Sequence, residues 1–135
     1  MNPKNLFLVL ATVALAFLNT GTGNAQSKET KATGATIEVI QFHSEHRCMT
    51  CNKIEELTRK TLKSYPDISF SLVNVDDKAN AKKAEAFQAT GTSLFLYNPK
   101  TGKKKDLTDF AFMNAGDEDK FIAELKKEID AFLKS

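Results

Sequence analysis

The chain opens on Met1-Asn2-Pro3-Lys4-Asn5 and then runs from Leu6 to Leu18 (LFLVLATVALAFL) with every position but Thr12 apolar. At 1.5 Å of helical rise per residue this run is too short for a hydrocarbon core of roughly 30 Å. One charge, Lys4, precedes it, and small and polar residues ending in Gly23-Asn24-Ala25 follow. That succession predicts a Sec-type signal peptide over residues 1–25, cut before Gln26. The alternative is an uncleaved N-terminal anchor. Residues 26–35 (QSKETKATGA) show no apolar period and read as a flexible leader.

From residue 36 onward the pattern changes to that of a folded domain, 36–135. Thr36 to Phe42 (TIEVIQF) is β-branched and partly alternating, which predicts a buried strand. Cys48 to Tyr65 places Ile54, Leu57, Thr61, Leu62 and Tyr65 on one helical face and is stopped by Pro66. Ile68 to Val75 alternates as a second strand. Asp77 to Thr90 turns Ala84 and Phe87 inward as a short helix closed at Gly91. Ser93 to Tyr97 and Lys104 to Phe112 flank Asn98-Pro99-Lys100-Thr101-Gly102 and predict a hairpin, with Phe110 and Phe112 filling core. Asp117 is a fair N-cap for a last helix burying Phe121, Ile122, Leu125, Ile129, Phe132 and Leu133. The order β-α-β-α-β-β-α predicts an α/β fold, a mixed four-stranded sheet with helices on both faces.

Composition narrows the function classes. A formal charge of +2, with no basic nucleic-acid motif, argues against a nucleic-acid partner. Lys103, Lys104 and Lys105 read as a solvated strand end. No Gly-rich phosphate loop and no G-x-S-x-G is present, and a flavin or nicotinamide site needs more chain than this domain offers. The only cofactor expected is a redox-active disulfide made by the two cysteines, Cys48 and Cys51.

Those cysteines lie in the turn between the first strand and the first helix: Phe42-His43-Ser44-Glu45-His46-Arg47-Cys48-Met49-Thr50-Cys51. The first Cys of a C-x-x-C at a helix mouth sits where unpaired N–H groups and the helix dipole favour a thiolate. The second lies one turn away and can resolve a mixed disulfide formed on the first. Cys48 is therefore expected to be the nucleophile and Cys51 the resolving thiol. Arg47 adds a positive charge beside Cys48, and His46 adds another when protonated.

Other readings stand beside this one. A disulfide kept only for stability is disfavoured, because closing a four-residue loop contributes about 2 kcal/mol against about 4.7 for a hundred-residue loop. His43, His46, Cys48 and Cys51 could instead form a soft metal or As(III) site, although H-x₂-H-x-C-x₂-C matches no closed structural zinc pattern. For each His the simpler role is packing or hydrogen bonding at the strand end. A non-catalytic interaction subunit is the third alternative.

The element order, with C-M-T-C at the first helix, resembles a minimal thioredoxin-like fold. The segment F-H-S-E-H-R-C-M-T-C-N-K-I-E resembles exported thioredoxin-like proteins of the nitrophenyl compound nitroreductase subunit family, the ArsF-like family. The shared positions are Phe42, His43, Arg47, Cys48, Thr50, Cys51, Ile54 and Glu55. The resemblance implies a thiol-disulfide or electron-transfer subunit that serves a partner reductase acting on nitroaromatic compounds, including nitrophenyl arsenicals. Export implies a periplasmic or otherwise extracytoplasmic location, a membrane thiol-relay protein as electron source, and no stable membrane insertion after signal cleavage.

Departures from the thioredoxin pattern matter as much. Met49-Thr50 replaces the thioredoxin Gly-Pro, so its redox poise is not transferable. Gln41 stands where thioredoxins bury an Asp as proton acceptor. Any base must then be water, His43, His46 or Glu45. Ser93 stands near the place of the cis-Pro that faces the dithiol, in Gly91-Thr92-Ser93-Leu94. Met49, Thr50, Thr92 and Ser93 are expected to meet the partner.

Overall fold

The computed structural model describes residues 37–135. The expected signal peptide and leader lie outside the described residues, as does Thr36. The elements run β1 (Glu38–His43), α1 (Met49–Leu62), β2 (Ser69–Asn74), a 3₁₀ turn (Lys78–Asn80), α2 (Ala81–Phe87), β3 (Ser93–Tyr97), β4 (Lys104–Asp106), α3 (Thr108–Asn114) and α4 (Glu118–Leu133). The sheet order is β2-β1-β3-β4, with β1 parallel to β2 and antiparallel to β3, and β3 antiparallel to β4. This is the mixed four-stranded sheet expected of a thioredoxin-like α/β fold.

Alternation along the strands divides the core in two. On one face Val39, Leu94 and Leu96 pack with Ile54 and Leu57 of α1, Ala111 of α3, and Phe121, Leu125 and Ile129 of α4. On the other, Ile40, Phe42, Val73 and Phe95 pack with Ala84 and Phe87 of α2. There the rings of Phe42, Phe87 and Phe95 meet pairwise with centroids 5.2–5.8 Å apart. Contacts of this kind contribute about 0.5–1.5 kcal/mol each beyond area burial. Central strand β1 is covered on both sides, so Val39, Ile40, Gln41 and Phe42 are all fully buried. Its C-terminal end thereby becomes a fixed platform for the turn that follows.

Several elements differ from those predicted above. The second hairpin strand stops at Asp106, and Thr108–Asn114 is a helix. Leu107 N–H still donates to the Leu94 carbonyl (2.8 Å), but the Leu94 N–H goes to the Thr108 hydroxyl (3.2 Å). With that donor satisfied by a side chain, the ladder has no reason to continue, and the Asp106 carboxylate accepts the Thr108 N–H (2.8 Å) to start the turn. Phe110 still packs against the core, whereas Phe112 is 43% exposed. Helix α2 ends before Gly91: Gln88 takes the left-handed conformation, φ 53°, and its N–H caps Ala84 and Glu85. Asp117 caps α4 as expected by accepting the Lys120 N–H, but Ile122 is half-buried and Leu133 exposed.

The lysine run is exposed, as expected, and its side chains lie back along the surface. Lys104 donates to the Ala86 carbonyl and lies 4.5 Å over the Phe87 ring, Lys103 lies 5.5 Å over Phe132, and Lys105 pairs with Glu128. The run fastens edge strand β4 to α2 and α4. Among the described residues, no helix is long and apolar enough to cross a membrane.

Candidate functional site

The chain leaves β1 at His43 and enters α1 at Met49, so residues 44–48 must turn sharply over the end of the sheet. Two hydrogen bonds fix that turn to the residues just after β2: Val75 N–H to the His43 carbonyl (2.8 Å) and Glu45 N–H to the Asp76 carboxylate (2.7 Å). Cys48 is extended (φ −78°, ψ 164°) and acts as the N-cap of α1, its sulfur accepting the Cys51 N–H at 3.2 Å. The first turn of α1 holds no acidic side chain, so the positive end of the helix faces Cys48 without competition.

Cys48 and Cys51 are joined in a disulfide, with Cα atoms 5.2 Å apart. The two sulfurs differ in access. Cys48 is exposed, whereas Cys51, in the first turn of α1, is 4% exposed. Of the bonded pair, Cys48 is the one open to solvent.

The remaining predicted residues fall into three sets. Thr92 is brought to the dithiol, its hydroxyl 3.0 Å from Cys51 Sγ, while the Ser93 hydroxyl turns back to the Gly91 carbonyl (3.4 Å). Arg47 is turned to Glu55, donating from Nη1 at 2.6 Å, and Glu55 also accepts from Arg59 Nε at 2.8 Å. Burial alone would raise the Glu55 carboxyl, but hydrogen bonds and charge from Arg59 and Arg47 outweigh it and hold the group below the usual carboxylate range. The charge that Arg47 presents to Cys48 is thus shared with a carboxylate. The histidines form the third set: His43 Nδ1 meets the Ser44 carbonyl at 2.8 Å, and His46 is exposed. Among the described residues, no group of three or more His, Cys, Asp or Glu side chains is placed to hold a metal ion.

Gln41 lies fully buried under the first turn of α1, where its Nε2 donates to the Cys51 carbonyl at 2.9 Å. Only the amide nitrogen can face a carbonyl, so Oε1 must point elsewhere, and it has no partner. Gln41 is a clamp on the backbone of Cys51.

Two features of the site are not foreshadowed in the sequence pattern. Glu55 as the partner of Arg47 needed the tertiary turn, though the i,i+4 spacing of Glu55 and Arg59 was a readable hint. The other is an open groove of about 540 Å³ beside the dithiol, lined by Met49, Thr50, Asn52, Phe112 and Ala115 among others. Met49 (89% exposed) stands at its rim, and Phe112 enters it only because α3 is a helix.

No family model matches the sequence, and no curated protein matches it either. Solved structures similar to it include a thioredoxin of Fasciola hepatica, 24% identical over 52% of this chain and 64% of that one, TM-score 0.42. Thioredoxin O2 of Arabidopsis thaliana in the oxidized state is 20% identical over 53% of this chain and 61% of that one, TM-score 0.44. Thioredoxin f2 of Chlamydomonas reinhardtii is 22% identical over 64% of this chain and 83% of that one, TM-score 0.45. The chain spans less than two thirds of the length of the first two. Its thioredoxin-like character rests on its own sheet order and on the placement of Cys48 and Cys51.

Proposed function

We propose that this chain is an exported thiol-disulfide protein that carries electrons from a membrane thiol relay to a partner reductase. The observation that carries the reading is the asymmetric disulfide: an exposed Cys48 at a helix N-terminus bonded to a buried Cys51. An attacking thiolate forms a mixed disulfide with Cys48 and releases Cys51; the reverse attack by Cys51 discharges the partner. The finer assignment, service to a system reducing nitroaromatic compounds such as nitrophenyl arsenicals, is supported by the segment from Phe42 to Glu55. An extracytoplasmic location is supported by the pattern of residues 1–25. Met49, Thr50 and the groove beside them form the surface a partner would meet on approaching Cys48.

The test is a trap. Cys51→Ser leaves the mixed disulfide on Cys48 unresolved, so envelope extracts are expected to yield a covalent adduct that dithiothreitol releases and Cys48→Ala abolishes. Adducts seen equally without Cys48, or none at all, would remove the relay function. Nitroaromatic service is tested separately, by asking whether the trapped partner reduces a nitrophenyl substrate.

A further inference from the structure

In the disulfide neither sulfur carries a proton. The 3.0 Å contact between Thr92 Oγ1 and Cys51 Sγ can therefore have only one polarity: the hydroxyl donates and the sulfur accepts. Attack at the exposed Cys48 makes the buried Cys51 the obligate leaving group, and an anion released into a buried site is costly unless a donor meets it. The other polar groups of the site make their hydrogen bonds to atoms other than Cys51 Sγ. Gln41 Nε2 donates to the Cys51 carbonyl, the Cys51 N–H points at Cys48, Arg47 is turned to Glu55 through Nη1, and the Ser93 hydroxyl faces Gly91; none of these is within hydrogen-bond reach of Cys51 Sγ, whereas Thr92 is.

We propose that Thr92 is a catalytic residue whose hydroxyl stabilises the departing Cys51 thiolate. This deepens the thiol-exchange reading and rests on it. In the step, the thiolate of an external dithiol donor forms a bond to Cys48 Sγ as the Cys48–Cys51 bond breaks, and the electron pair goes to Cys51 Sγ. The Thr92 O–H then bonds a full negative charge instead of a neutral sulfur, and hydrogen bonds to charged groups are the stronger kind. The donor's second thiolate attacks its own mixed-disulfide sulfur and frees Cys48. The donor ends as a disulfide and the protein as a dithiol, with two electrons transferred and protons taken from water. Thr92 is placed in advance, since it immediately precedes β3, where Ser93 already pairs with Phe42 of β1, and its branched side chain has few rotamers. It does this as a neutral donor, where Gln41 offers no acid.

The experiment measures the rate at which excess dithiothreitol reduces the disulfide of the full chain, at one pH, for wild type, Thr92→Val, Thr92→Ala and Thr92→Ser. Both variants lacking the hydroxyl are expected to be reduced about tenfold more slowly, the rate equivalent of one hydrogen bond to a charged group. Thr92→Ser is expected to recover most of the loss. Measuring the alanine and valine variants together keeps the test decisive if one of them folds poorly. Reduction of both at the wild-type rate overturns the proposal, and so does a serine variant as slow as valine, which would assign the effect to packing. Failure of wild type itself to exchange with dithiothreitol overturns the relay reading instead, so the two failures are distinguishable.

Discussion

Glu55 offers a prediction with two readouts of opposite sign. Its carboxylate bridges Arg47 (2.6 Å) and Arg59 (2.8 Å), and the Glu55 and Arg47 side chains are only 18% and 23% exposed. Arg47 Nε and Nη2 are buried without partners, so Glu55 is what neutralises that guanidinium. Exposed pairs contribute up to about 1 kcal/mol, and breaking a fully buried one costs about 3–5. This partly screened bridge falls between them, so Glu55→Gln, which keeps the shape and removes the charge, is expected to cost about 2 kcal/mol. For a domain of this size that is a fall in melting temperature of roughly 8–16 °C. The same change frees the positive charge beside Cys48. Alkylation of Cys48 by iodoacetamide in the reduced protein, well below the melting temperature, is expected to become faster. The pH dependence follows from the lowered Glu55 carboxyl. A depressed folded value contributes stability that is present above the unfolded value of 4.5 and is lost as pH falls through the folded one. Wild type and Glu55→Gln should therefore converge in acid and diverge at neutral pH, in thermal melts followed by circular dichroism. A variant that melts within about 2 °C of wild type at pH 7 would refute the argument.

Two further expectations concern the frame. The Tyr65 hydroxyl donates to Asp130 at 2.8 Å, and desolvation, then that bond and charge, push the phenol up to about 12. Stability from this group is complete below the ordinary phenol value of 10.0 and is lost as pH rises toward 12; ultraviolet titration should show one late tyrosine that Asp130→Asn lowers in part, burial holding the rest of the shift. Gln88 adopts φ 53°, where a side chain is strained, so Gln88→Gly should raise stability by about 0.5–1 kcal/mol in urea unfolding, and any loss would contradict the cap.

The strand, the sharp turn and the C-x-x-C at the mouth of α1 were legible because each depends on local chemistry. β-branched residues pack a covered strand, Pro66 ends the run after α1, and a cysteine followed by free N–H groups caps a helix. The alternation of Phe110 and Phe112 misled, because a seven-residue helix is too short to show its own period, while two aromatics spaced by one residue imitate a strand. What ended β4 was a hydroxyl at Thr108 meeting an N–H at Leu94, a contact between residues far apart in the turn and invisible to any window. The same holds at the site. Sequence determined which two residues carry the thiol chemistry and which of them lies at the helix start. Only the packed structure decided that Cys51 is buried, that Arg47 spends its charge on Glu55, and that of two adjacent hydroxyls it is Thr92 that reaches the sulfur. Those outcomes depend on which side of a strand end faces a helix, a direction set by the sheet and not by neighbours in the chain.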